Sequence, residues 1–228
     1  MALALAEAGA DIAACARGEM HSLKEEIEKL GRRCEEFQVD LSDRAQARSL
    51  VPSVVKAFGR LDILVNNAGI VRRCPILEFT EKDWDDVIEV NLNSVFILCI
   101  AAARQFVKQR TGGKIINIAS MLSYQGGIRV PSYTAAKSGI LGLTRILACE
   151  LAPYGINVNA IAPGYMATDL TEELQNDPVR SKEILSRIPQ GRWGRPEDLK
   201  GAVVFLASEA SEYMNGFTVA VDGGWLAR

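Results

Sequence analysis

Histidine is almost missing from this chain. His21 is the only one in 228 residues, and it lies beside a Lys/Glu-rich helical face where a solvated side chain is expected. Histidine-based triads and histidine-bearing metal clusters therefore have no material, and no metal site is expected. The five cysteines (Cys15, Cys34, Cys74, Cys99 and Cys149) are an odd, widely separated set with neither a metal-ligand spacing nor a disulfide framework. They read as buried thiols of a reducing, cytoplasmic protein. Excess charge is missing as well: a formal net charge of -2 offers no general attraction to nucleic acid or other polyanions. The longest apolar run, Val95 to Ala103, is less than half the roughly 20 residues of a membrane span. The apolar start has no basic residue before it and is interrupted by Glu7, which argues against a secretion signal. A glycine-rich phosphate loop is also lacking, since Gly9 is the only glycine between Met1 and Gly18.

What remains is 48% apolar residues, enough for one sizeable core, and no proline- or glycine-rich linker divides it. A single domain over residues 1–228 is expected. The opening MALALAEAGADIAACARG reads as a helix turning at Gly9 into a short apolar strand that ends Ala16-Arg17-Gly18. Strand patterns follow at Cys34 to Val39, Leu61 to Val65, Lys114 to Ala119, Ile156 to Ile161 and Thr218 to Val221. Helical patterns occupy Glu19 to Leu30, Asp43 to Phe58, Thr80 through Ala103, Ser132 to Leu151, Asp169 to Arg187 and Pro196 to Ser208. Alternation of this kind predicts an α/β fold, a doubly wound parallel sheet of Rossmann-like form covered on both faces. Ligands of such sheets bind beyond the carboxyl ends of the strands.

Chemistry collects at those ends. Ser120 follows a strand, and thirteen residues later Tyr133-Thr134-Ala135-Ala136-Lys137 opens a helix. A separation of four puts Tyr133 and Lys137 on one helix face. A phenol of pKa about 10 is a poor base near neutrality, but an adjacent ammonium favours the phenolate. Taken alone, the pair also fits an ordinary amphipathic helix.

With Asn66-Asn67-Ala68-Gly69, Asn91, Ser120, Tyr133, Lys137 and Pro163-Gly164 in that order and spacing, the chain resembles the short-chain dehydrogenase/reductase family from Ala2 to Arg228. The resemblance implies that Tyr133 is the general acid of ketone reduction and the general base of alcohol oxidation. Lys137 lowers the phenol pKa and holds the nicotinamide ribose, Ser120 hydrogen-bonds the reacting oxygen, and Asn91 holds a water linking Lys137 to solvent. It further implies cofactor contacts from Asp40 to the adenine, from Asn67, Ala68 and Gly69 to the adenosine ribose, and from Pro163, Gly164 and Thr168 to the nicotinamide carboxamide. A helix cap or turn role for Asp40 fits its local sequence equally well. NADP is the expected cofactor, with NAD as the alternative, because Ala16 stands where an NAD enzyme carries an acid and Arg17 follows it.

Three further segments, Ile118 to Pro131, Arg187 to Gly194 and Ala220 to Arg228, are similar to a branch of the family that interconverts keto and hydroxy groups on sugar acids. A sugar acid requires a cation for its carboxylate, and Arg129 and Arg192 are the nominees, since guanidinium grips a carboxylate at two points. Two other readings stay open: a reductase of 3-oxoacyl thioesters or another ketone, and a non-catalytic binding or assembly subunit. The family resemblance also implies a homotetramer, with the helices Thr80 to Lys108 and Ser132 to Leu151 at an interface. Finally, the family's first strand and phosphate loop are not seen ahead of the opening helix. Met1 is therefore expected to be an internal methionine, with roughly two dozen residues upstream by βαβ dimensions.

Overall fold

The computed structural model describes all residues, 1–228. It opens with helix α1 (Ala2–Glu7), strand β1 (Ile12–Ala16), helix α2 (His21–Lys29), strand β2 (Cys34–Gln38), helix α3 (Arg44–Phe58) and strand β3 (Ile63–Asn66). Helix α4 (Glu81–Ile88) runs through a π turn (Glu89–Asn93) into α5 (Ser94–Gln109), followed by β4 (Gly113–Ile118), α6 (Pro131–Leu151) and β5 (Ile156–Pro163). The chain ends with α7 (Glu172–Asn176), α8 (Pro178–Arg187), α9 (Lys200–Ala207) and β6 (Thr218–Val221).

Local chemistry sets the helix ends. Asp43 Oδ1 accepts from Ala45 N at 2.8 Å and Gln46 N at 3.3 Å, and Gly59 closes α3 at φ 81°, a left-handed conformation that suits glycine. Thr80 Oγ1 accepts from Asp83 N at 3.1 Å and so starts α4. Pro131 occupies the first turn of α6, where its missing N–H costs nothing.

Strands β4 and β5 are apolar on both faces because helices cover both. Ile115 and Val158 face one cluster with Val95, Phe106 and Ile140, whereas Ile116 and Ile161 face another with Leu5, Ile27 and Val203. Alternating side chains thus carry the α3, α5 and α6 layer on one side and the α1, α2 and α9 layer on the other.

The sheet is split. All pairings are parallel, but β1 pairs only with β2, while the second group runs β3-β4-β5-β6. Between them lies a cleft of about 920 Å³, lined by Ile12 to Ala16 from β1, Ile63 to Asn66 from β3, and Met1, Ala2 and Leu5. Both β1 and β3 turn an unpaired edge towards it.

Several boundaries differ from those read in the sequence. The Asp169 to Arg187 excursion is not one helix: a 3-10 turn (Asp169–Thr171) leads into α7, and Asp177 then caps α8 ahead of Pro178. Proline lacks the N–H that a continuing helix needs, so the break falls there. The Pro196 to Ser208 helix likewise begins as a 3-10 turn over Pro196–Leu199. Only Cys34 and Cys99 are buried thiols; Cys15 and Cys74 are half-buried and Cys149 is exposed. The apolar run at Val95 sits within a continuous helix, Glu81–Gln109, that is long and apolar enough to cross a membrane. Val95, Leu98, Cys99, Ala102 and Phe106 of that helix are buried inside the protein.

Candidate active site

Strand β4 ends at Ile118 and delivers Ser120 to the carboxyl edge of the sheet. Ser120 Oγ accepts from Leu122 N at 3.1 Å, and Ser120 N donates to Ser123 Oγ at 3.2 Å, which fixes the turn. Ser123 Oγ in turn donates to Lys137 O at 2.6 Å, tying the turn to α6. Sequence reasoning passed over Ser123, a short side chain at the third position after Ser120, although that spacing is the signal of a reciprocal cap.

On α6, Tyr133 and Lys137 share a face as their spacing required. The Lys137 ammonium lies 5.7 Å from the Tyr133 ring centroid and donates to Ile118 O at 2.6 Å. Lys137 is 4% exposed, and burial pushes its ammonium down to about 8. Burial pushes the Tyr133 phenol up from its ordinary value, and the groups that pull it down are Ser120 and the Arg73 guanidinium. The lysine was expected to supply that pull. Its Nζ is held by the Ile118 carbonyl, 5.7 Å from the phenol ring centroid.

Asn91 is fully buried within the π turn. Its Oδ1 accepts from Ile70 N at 2.8 Å and its Nδ2 donates to Ile70 O at 2.9 Å, so its side chain clamps the loop that follows β3. Its side-chain amide is thus spent on backbone. The π turn itself was not legible in the sequence, and such turns cluster at functional sites. Below the loop, Asn66 Nδ2 donates to Asn117 Oδ1 at 2.9 Å and Asn117 Nδ2 donates to Thr144 Oγ1 at 3.0 Å, a buried ladder from β3 through β4 to α6. Asn66 Oδ1 is buried without a partner.

The residues assigned to the adenosine end come together. Arg17, Asp40, Asn67, Ala68 and Gly69 all line the cleft between the two sheets. Asp40 Oδ1 accepts from Ser42 N at 2.9 Å and Ser42 Oγ at 2.7 Å, which holds its carboxyl below the usual range, with Arg17 adding to the effect. Asp40 therefore does have the turn role that its local sequence allowed. Pro163 ends β5, and Gly164 follows in a close approach where a Cβ would meet Asp222 at 2.7 Å. No larger residue fits there without displacing backbone. Thr168 is exposed just beyond, opening the 3-10 turn.

The two arginines nominated for a substrate carboxylate differ. Arg192 donates to Asp198 from Nη1 at 2.7 Å and from Nη2 at 3.0 Å, which pulls the Asp198 carboxyl down to about 2. It lines a 360 Å³ pocket with Tyr165, Met166 and Asp222, and neither Ser120 nor Tyr133 belongs to that lining. The guanidinium is already occupied by an internal carboxylate, and the sequence spacing Arg192/Asp198 was the available sign of it. Arg129 is exposed with φ 64°, in a loop whose main chain accepts from Cys74 N at 3.0 Å. An aromatic wall stands beyond β5: Tyr165 meets Trp193 and Trp225 edge-on at 5.5 Å and 5.0 Å, and Arg187 stacks on Trp225 at 4.2 Å.

A doubly wound fold with a serine after one strand, and a Tyr/Lys pair one turn apart on the next helix, defines an oxidoreductase that moves a proton between a phenol and a carbonyl or alcohol oxygen. The chain belongs to the short-chain dehydrogenase/reductase family. A family profile described as enoyl-(acyl carrier protein) reductase matches residues 1–226. The chain is 60% identical over its whole length, and over 90% of the relative's, to a 2-dehydro-3-deoxy-D-gluconate 5-dehydrogenase of Dickeya dadantii. To the protein of that description in Escherichia coli it is 59% identical, with the same coverage. Among solved structures it resembles a gluconate 5-dehydrogenase of Burkholderia cenocepacia in complex with NADP and tartrate, at TM-score 0.95 and 39% identity, covering 100% of this chain and 89% of that one.

Proposed function

We propose that the protein is an NAD(P)-dependent oxidoreductase acting on a hydroxy or keto group of a sugar acid, of the 2-dehydro-3-deoxy-D-gluconate 5-dehydrogenase type. The observation that carries this reading is the convergence of Ser120, Tyr133 and Lys137 at the carboxyl edge of β4, in a chain 60% identical throughout to an enzyme so described. A nicotinamide cofactor, when bound, supplies or accepts the hydride. Ser120 orients the reacting oxygen, and Tyr133 gives a proton to it in ketone reduction or takes one from it in alcohol oxidation. Lys137 holds α6 against β4 and offers its ammonium to the cofactor ribose. Arg17, Asp40 and Asn67 to Gly69 hold the adenosine half, and Pro163, Gly164 and Thr168 hold the nicotinamide half. The exposed Arg17 beside Asp40, next to Ala16 at the cleft, suits a 2′-phosphate.

Two measurements test this. Turnover of a 5-keto sugar acid with NADPH is expected to exceed turnover of an acetoacetyl thioester, and the reverse order would transfer the reading to acyl-thioester reduction. Arg17→Ala is expected to erode the preference for NADPH over NADH, whereas an unchanged ratio removes Arg17 from the site.

The protein works as a cytoplasmic homotetramer in this reading. Phe96 on α5 and Ile146 on α6 are each 51% exposed, which favours helix faces that another copy covers. Light scattering of Phe96→Glu is expected to show a smaller particle than the wild type. An unchanged tetramer would move the interface elsewhere, and a wild-type monomer would end the proposal.

A further inference from the structure

The π turn between α4 and α5 carries polar side chains at Glu89, Asn91, Asn93 and Ser94, just ahead of the apolar stretch that begins at Val95. A π turn interrupts the regular helical ladder, so backbone groups there look to side chains for partners. Ser94 Oγ donates to Val90 O at 2.6 Å, Asn91 clamps both polar atoms of the Ile70 backbone, and Asn93 Nδ2 donates to Glu89 Oε2 at 2.7 Å. Glu89 reaches out of the helix. The Arg44 guanidinium donates to it from Nε at 2.6 Å and from Nη2 at 2.6 Å, across forty-five positions of sequence. Arg44 first and then Asn93 hold the Glu89 carboxyl below the usual carboxylate range, so it is ionised at neutrality.

Each end of this pair leads to a loop at the cleft. Arg44 is the first residue of α3, and that end of α3 is tied to Asp40: Asp40 N donates to Gln46 Oε1 at 3.0 Å, and Gln46 Nε2 donates to Asp43 Oδ2 at 3.1 Å. Glu89 opens the π turn whose Asn91 holds Ile70, and Gly69 lies so near that a Cβ there would meet Asn91 Oδ1 at 3.4 Å. Asp40 and the segment Asn67 to Ile70 line the cleft, whereas Arg44 and Glu89 do not. No strand pairing joins β2 to β3, so these two loops depend on helix packing for their relative placement. Leu50, Val51 and Val54 of α3 pack on Leu98 of α5, but apolar contact is non-directional and leaves the helices free to slide. A two-point guanidinium fork adds the missing geometric constraint.

We propose that Arg44 and Glu89 form a latch between α3 and the π turn that positions the two loops receiving the adenosine half of the cofactor, Asp40 from one side and Asn67 to Gly69 from the other. Both are positioning residues, acting through Gln46 and Asn91. The inference rests on the NAD(P) reading above. Isolated exposed ion pairs contribute little, but this one is bidentate, has Asn93 as a third donor, and uses a carboxylate side chain that is 21% exposed.

The test compares wild type, Glu89→Gln, Arg44→Met, the double variant and Arg44→Lys by segment-resolved hydrogen exchange and by titration with NADPH and with NADH. Either Glu89→Gln or Arg44→Met should quicken exchange in residues 67–72 about threefold or more while β4 and β5 keep their wild-type rates. Kd should rise by the same factor for both dinucleotides, about threefold or more, because the adenosine half is common to them. The double variant should be no weaker than the single ones, since all three break one link. Arg44→Lys should fall between, keeping the charge and losing the fork. Unchanged exchange in 67–72 would free that loop from the pair, and faster exchange through β4 and β5 as well would make the pair a general stabiliser. Loss of NADPH affinity alone would make Arg44 a direct contact of the 2′-phosphate, and losses that add in the double variant would make the two residues independent. Faster exchange with unchanged affinity for both dinucleotides would detach the latch from cofactor binding. Each of these overturns the inference and leaves the functional reading standing, whereas a wild type that binds neither dinucleotide overturns both.

Discussion

Replacing Tyr133 by Phe should reduce kcat for ketone reduction by about 10²- to 10⁴-fold, the usual contribution of a positioned general acid. The fold should survive, because the substitution removes one oxygen and leaves the half-buried ring in place. A loss smaller than tenfold, with an unaltered circular dichroism spectrum, would take the proton-transfer role from Tyr133. The pH profile gives a second reading. Burial raises the phenol above its ordinary value, so the phenolate is the minor form at neutrality and alcohol oxidation should climb with pH. Ketone reduction consumes the phenol proton and should fall over the same alkaline range. Lys137 modulates the slope: with its ammonium pushed down to about 8, it is charged below that pH and loses its charge above it. Tyr133→Phe should flatten the oxidation profile, and a wild type flat between neutral and alkaline pH would show that phenol ionisation does not govern the rate.

Filling the cleft between the two sheets should stabilise the protein most. A variant with a short Val/Ile-rich strand and a glycine-rich turn placed ahead of Met1 would enter the cleft, since Met1 and Ala2 already line it. Such a strand can pair with β1 on one side and β3 on the other, satisfying two open edges and joining two sheets into one. It buries apolar side chains at about 1.5–3 kcal/mol each, so three or four of them raise Tm by roughly 10 °C or more for a domain of this size. Turn N–H groups beside the cleft would also tighten NADP binding, because phosphate is held by such donors. Differential scanning calorimetry and cofactor titration on both forms decide the matter. Equal Tm and equal cofactor affinity would show that the cleft is not a strand site.

Much of the site was legible because its chemistry depends on short-range spacing. Tyr133 and Lys137, four apart on one helix, had to share a face, and Ser120 had to stand at a strand end. Arg73 was not legible. Its guanidinium is bonded to the carbonyl of Leu170, ninety-seven positions away, a contact that no local pattern announces. Arg192 was misleading for a different reason: Asp198 stands only six positions on, a spacing that signals the pair, but the 3-10 turn that brings it to the guanidinium is needed to close it. The π turn around Asn91 is equally a tertiary product, because the amide that clamps Ile70 competes with regular helix geometry only when both segments are packed.

The sequence by itself determined the alternation of strands and helices, the parallel sheet, the positions of Ser120, Tyr133 and Lys137, and the lack of a glycine-rich loop near Met1. Hydrophobic period and covalent spacing act within a few residues, so they can be read along the chain. Only the tertiary structure decided that the sheet divides between β1 and β3, that Lys137 spends its ammonium on Ile118, and that Arg73 is tied to Leu170. Those outcomes depend on partners distant in sequence and on how far each charge is withdrawn from water, and both are set when the layers pack.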